Sequence, residues 1–271
     1  MENALFHVLS FIVGTCIGSF LCCQARRLHY NLAHKRAKLK SKRSICLRCK
    51  KPLKWHDNIP LLSWVMLRGK CRYCHHKIGI AEIISEIATA IAFLSLSFTV
   101  SITSVSPFEW LIFISVIVFT SVLVFLAIYD GLYGELPTLF LLIAIFIGFI
   151  IASLKIWSVL IISPFTPDLI VNPLLSVLVL GGLYLLLYLL SKGKWVGDGD
   201  WLLASAIALA LGHPLLALIA LFLANFVACL IMLPVAKGNH KAKIHFGPFL
   251  VIAFVITYIL SPFFIMLMLQ S

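Results

Sequence analysis

Two aspartates and four cysteines are the residues of this 271-residue chain whose types and spacing could do chemistry. Asp130 closes an apolar run in Ala127-Ile128-Tyr129-Asp130-Gly131, and Asp200 opens another in Gly197-Asp198-Gly199-Asp200-Trp201. An acid at the edge of an apolar span is costly and needs a reason. Two carboxylates at one level, on helices that can meet, can share a proton, because close like charges push their titrations apart. Such a pair can take a proton from water and give one to a departing amide. Helix capping is an equally open reading for Asp200, since Asp is a favoured N-cap and Gly-rich turns commonly precede helices. Asp130 ends a helix, where the dipole opposes negative charge, so capping explains it poorly. Asp198 reads as a solvated turn residue.

The cysteines form two pairs, Cys46-Leu47-Arg48-Cys49 and Cys71-Arg72-Tyr73-Cys74. Two CxxC turns at this separation supply four thiolates that can wrap a tetrahedral Zn²⁺, closing a loop too small to build its own core. Four sulfurs leave no open coordination position, so the zinc is expected to be structural. Disulfides are the competing reading, disfavoured in a reducing compartment. His56, His75 and His76 are not required as ligands. Cys16, Cys22, Cys23 and Cys229 lie in apolar runs and read as small buried hydrophobes.

The elements that must position these groups are membrane spans. The chain is 62% hydrophobic and 12% charged, with mean hydropathy +1.06. These values exclude an ordinary soluble domain, a disordered chain, a coiled coil and a disulfide-stapled secreted fold. Apolar runs near 5–23, 83–100, 110–129, 137–154, 173–190, 201–212, 214–233 and 249–269 predict an all-α, polytopic membrane helix bundle of about eight transmembrane helices. The first run lacks the basic n-region and small-residue cleavage site of a signal peptide. The predicted organisation is a first transmembrane helix at 1–23, a basic loop at 24–80 and a seven-helix bundle at 81–271.

Charge orients the bundle. Residues 24–80 hold 16 of the 22 Lys and Arg and one acid, Asp57. With that loop in the cytoplasm, alternation places Lys192, Lys194, Lys237, Lys241 and Lys243 there too, and only Lys155 outside with both termini. The excess charge is thereby explained by topology and attraction to the lipid bilayer. Nucleic acid is not an expected partner, since few aromatics interleave the basic residues.

Together these motifs resemble the type IV prepilin peptidase family, membrane aspartyl proteases of the GxGD type that also carry an N-methyltransferase activity. Gly18-Ser19-Phe20-Leu21 with Arg27-Leu28 resembles the family's first-span ending. The four-cysteine loop encloses Asn58-Ile59-Pro60-Leu61-Leu62-Ser63-Trp64 and Leu67-Arg68-Gly69-Lys70, again similar. Asp130 with Pro137 resembles the first aspartate motif, Gly197-Asp198-Gly199-Asp200 the second, and Phe246-Gly247-Pro248-Phe249-Leu250 a motif before the last span. The chain departs from the family at Thr138 after the proline, at Cys22, and at Ala81-Glu82-Ile83. The resemblance implies that Asp130 and Asp200 form a catalytic dyad. It also implies removal of a short basic leader from prepilins or pseudopilins, at the cytoplasmic face of a bacterial cytoplasmic membrane. Methylation of the new N-terminus with S-adenosyl-L-methionine is implied by the resemblance alone. A proton-coupled transporter is the competing class; it would favour acids at the membrane midplane and inverted repeats, which the sequence does not show.

Overall fold

The structure is a computed structural model describing residues 2–34, 44–46, 48–100, 106–193, 196–236 and 245–269. Lys194, Lys237, Lys241 and Lys243 of the charge count, and Leu47 of the first knuckle, lie outside the described residues. Two compact units divide the chain, Met1–Ser97 and Phe98–Ser271. Among the described residues, seven helices are long and apolar enough to cross a membrane. The sixth expected span is a helix of twelve residues, about 18 Å long against the roughly 30 Å of a hydrocarbon core.

The first unit contains α1 (Glu2–Ala33), a 3₁₀ turn (Trp55–Asn58), α2 (Leu62–Met66) and α3 (Ile80–Ser97). Helix α1 runs ten residues beyond the expected end of its apolar span, and Arg26 in that extension pairs with Glu82 of α3 at 3.2 Å. Near the other end, His7 Nδ1 lies 2.7 Å from Ser97 Oγ. Between these ties α1 and α3 touch backbone to backbone. A Cβ on Gly14 would lie 2.7 Å from Ala90 Cα, and one on Gly18 would lie 2.6 Å from the Ser85 carbonyl oxygen. Glycines four apart facing Ser85, Thr89 and Ala90 are the small-residue seam by which helices associate in lipid, where apolar burial gives no net drive. Gly18→Leu is therefore expected to lower the protein's melting temperature in detergent by forcing the helices apart, an overpacking cost of about 1–3 kcal/mol. Gly182→Ala, whose Cβ would meet nothing nearer than 3.9 Å, is the neutral comparison.

The second unit contains α4 (Pro107–Tyr133), α5 (Thr138–Leu160), α6 (Asp168–Val177), a π turn (Leu178–Gly182), α7 (Leu183–Ser191), α8 (Asp200–Leu211), α9 (Pro214–Ala236) and α10 (Gly247–Leu269). Helices α6 and α7 form one continuous span through the π turn. Short α8 is the centre of this unit. Leu203, Ala204, Ala206, Ile207, Ala208 and Ala210 are all fully buried, so the helix is apolar on every side and shows no amphipathic face. Its alanines admit close neighbours: a Cβ on Gly148 of α5 would lie 2.7 Å from the Ala206 carbonyl oxygen, and Gly181 in the π turn sits against Ser205. At the far end Lys155 Nζ donates to the Ala210 carbonyl at 2.7 Å and lies 4.9 Å from the Tyr258 ring centroid. This cation satisfies carbonyls that a helix ending inside a bundle would otherwise leave unpaired.

Candidate active site

Asp130 sits in the last turn of α4 and is buried. Its position opposes the α4 dipole, and the start of α10 offsets that cost. The Gly247 N–H, at the α10 N-terminus, donates to Asp130 Oδ2 at 2.9 Å, where the helix field favours an anion. His245 Nδ1 lies 3.6 Å from the other carboxylate oxygen, Oδ1. The approach leaves no room for a side chain, since a Cβ on Gly247 would come within 2.8 Å of Asp130 Oδ2. Helix α4 then closes on Gly134, whose N–H donates to the Asp130 carbonyl at 2.7 Å.

Asp200 is the first residue of α8 and is also buried. Among the described residues its side chain makes no hydrogen bond to the amides of its own helix. Oδ2 instead accepts from the Gly197 N–H of the preceding turn at 2.9 Å. The carboxylate is thus aimed by the Gly197-Asp198-Gly199 turn, and that turn is seated by Gly199. A Cβ there would lie 2.7 Å from Leu136 Cβ, on the segment joining α4 to α5. One glycine therefore brings the turn carrying Asp200 against the segment that follows Asp130. Asp130 and His245 both act electrostatically on Asp200, as does its neighbour Asp198, which is exposed.

His245 and the Gly247 amide are the groups that sequence reasoning left without a role. The available signal was a histidine directly before Phe-Gly-Pro at the start of an apolar span. Its contact with Asp130 joins positions 115 apart in sequence and is visible only in the fold. A separate cavity of about 660 Å³ lies at the other end of α8, beside Lys155, His213 and Tyr258, and its lining contains neither aspartate.

In the first unit the four cysteines converge, all four sulfurs lying within 4.8 Å of one another. None of the eight cysteines forms a disulfide. Cys46 Sγ and Cys74 Sγ are 3.8 Å apart, close to the edge of a tetrahedron of sulfurs at about 2.3 Å from one ion. The two halves are built alike. Antiparallel bridges Ile45–Pro52 and Lys70–Lys77 bracket the two knuckles. The Lys50 N–H donates to the Cys46 carbonyl at 2.8 Å, and the His75 N–H to the Cys71 carbonyl at 2.9 Å. Amides of Arg48 and Cys49 point at Cys46 Sγ, and those of Tyr73 and Cys74 at Cys71 Sγ, as suits thiolates holding a cation. The cluster can hold a metal ion.

Asp57 joins the 3₁₀ turn to the second knuckle. Its Oδ1 takes bonds from Arg72 Nε at 2.8 Å and Nη2 at 2.7 Å, and its Oδ2 takes the Lys54 N–H at 3.1 Å. Burial alone would raise this carboxyl. Arg72, the Lys54 amide and His56 outweigh it and hold the group below the usual carboxylate range.

The chain is similar to known proteins. A family model described as "Bacterial Peptidase A24 N-terminal domain" matches residues 12–100. A protein of Aeromonas salmonicida named "Prepilin leader peptidase/N-methyltransferase" is 30% identical over 274 residues, covering 92% of this chain and 89% of that protein. Proteins with the same name from Pseudomonas putida and Neisseria gonorrhoeae are 26% and 30% identical, covering 93% and 78% of this chain and 90% and 68% of their own lengths. No solved structure matches.

Proposed function

Because this chain belongs to the prepilin leader peptidase/N-methyltransferase family, we propose that it removes the short basic leader from prepilins or pseudopilins by aspartyl catalysis. The observation that carries this reading is the pair of buried carboxylates, one from the last turn of α4 and one from the first turn of α8, each held by a backbone N–H. Asp130 is the ionised member: the Gly247 amide, the α10 N-terminus and His245 all favour its negative charge. It takes the proton of a water. Asp200 is the protonated member. Its Oδ1 makes no hydrogen bond to a described residue, which leaves it free to meet the scissile carbonyl and then to protonate the departing amine. Water attacks the carbonyl carbon, so no covalent enzyme intermediate forms. The charge bias of the basic loop supports a cytoplasmic position for this chemistry, at a bacterial cytoplasmic membrane.

The four-cysteine cluster holds one structural Zn²⁺. N-methyl transfer is the second activity, carried over from the names of the relatives, with S-adenosyl-L-methionine as donor and the new N-terminus as acceptor taken from the resemblance described above. Both activities are read together by incubating the purified chain with a prepilin and isotopically labelled S-adenosyl-L-methionine, then weighing the products by mass spectrometry. The expected product is a shortened pilin carrying the labelled methyl group. An intact prepilin overturns the peptidase reading, and a shortened, unlabelled one removes methylation alone.

A further inference from the structure

The four-cysteine loop presents a surface that neither the metal nor the aspartates use. Every exposed charged side chain in 48–79 is a cation, from Arg48, Lys50 and Lys51 to Arg68, Lys70 and Lys77. The one acid, Asp57, is buried under Arg72. Large apolar side chains stand out from the same stretch. Trp55 is 80% exposed, Leu62 61%, Val65 64% and Met66 77%. Leu62, Val65 and Met66 are spaced i, i+3, i+4 on α2 and so share one face. That spacing ordinarily marks a buried face.

The height of α2 says what covers it. Helix α3 has 18 residues, about 27 Å, so it needs nearly its whole length to cross and its first residue, Ile80, lies at the membrane surface. Glu86 is six residues further on, about 9 Å along the axis. Glu86 Oε2 accepts the N–H of Leu61, the residue directly before α2, at 2.7 Å. The start of α2 is therefore pinned beside the first two turns of a spanning helix and not out in bulk water. The pin is built at a cost. Leu61 has φ 59 and ψ −51, and Leu62 N–H meets the Pro60 carbonyl at 2.6 Å, a strained three-residue turn.

We propose that α2 and Trp55 form an interfacial foot seated in the headgroup layer of an anionic bilayer. Leu62, Val65 and Met66 enter the acyl boundary, Trp55 sits at headgroup level and the surrounding lysines and arginines meet acidic phosphates. Charge selects this occupant over the substrate, since a basic leader is repelled by a surface whose exposed charges are all positive.

The test uses the whole chain in nanodiscs of phosphatidylcholine, with and without phosphatidylglycerol, and reads amide hydrogen exchange across 59–70. Exchange is expected to slow about tenfold when phosphatidylglycerol is present, and the difference should shrink at high salt. Leu62→Gln, Val65→Gln and Met66→Gln combined should abolish the protection while metal content stays unchanged. Should that variant lose its metal, Lys50→Gln with Lys51→Gln and Lys54→Gln carries the same expectation. Equal exchange in both lipids overturns the proposal. So does protection that appears only on adding a prepilin peptide, which assigns the face to substrate. Neither outcome bears on the aspartates, whose cleavage assay stands apart.

Discussion

Asp130→Asn and Asp200→Asn are each expected to lower leader cleavage by about 10²–10⁴-fold, the range that general acid–base groups supply. Asn keeps the shape of Asp and an oxygen that can still accept the Gly247 or Gly197 N–H, so the anchoring bonds survive. What is lost is the proton exchange. Prepilin binding should accordingly persist, and the double variant should be little worse than either single one, because two groups acting as a unit do not contribute additively. Asp198→Asn should be close to normal, since that side chain is exposed and outside both anchors. Cleavage rates at matched expression decide the matter. Near-normal cleavage by either dyad variant, or a loss confined to Asp198→Asn, means the wrong carboxylates have been chosen.

Removal of the metal should have the next largest effect. Structural zinc supplies about 10 kcal/mol or more of apparent folding free energy to small domains of this kind. Among the described residues of 44–79 the other ties are few and mostly local: two isolated bridges, one 3₁₀ turn, a five-residue helix, the Asp57–Arg72 pair and the Leu61–Glu86 bond. Chelation, or Cys71→Ser at the most buried sulfur, is expected to unfold this stretch outright. Metal analysis should find one zinc per chain, and limited proteolysis after chelation should cut within 44–79 while the helices stay intact. A protease-resistant loop in metal-free protein would falsify the structural role.

Much of this architecture is written in local pattern. The apolar runs name the helices, and the spacing of Cys46, Cys49, Cys71 and Cys74 names a cluster that does converge. What stayed hidden depends on contacts between distant positions. The apolar signal of α1 ends near residue 23, but the helix continues to Ala33, and Arg26 in the extension pairs with Glu82, a partner 56 residues away. Helix α8 looks like a short span by composition. Its central burial follows from alanines that are informative only once Gly148 and Gly181 are seen against them. His245 carries no periodic signal at all, and its nearness to Asp130 is made by the chain's return into α10. Capping was an open reading for Asp200 because the residue types preceding a helix are the same in either case. The direction of one hydrogen bond, back to Gly197, speaks against capping.

The glycine seam between α1 and α3 bears on how the protein is made. Gly14 and Gly18, their partners Ser85, Thr89 and Ala90, and all four clustered cysteines fall within the first 97 residues. Helices inserted into lipid associate after insertion, and domains mature in the order of synthesis. The α1–α3 hairpin can therefore dock, and its loop can take up metal, while the helices bearing both aspartates are still on the ribosome. Metal bound at that stage would fix the loop before the second unit is complete, which makes metal supply during translation, as well as in the finished protein, a condition for this unit to mature.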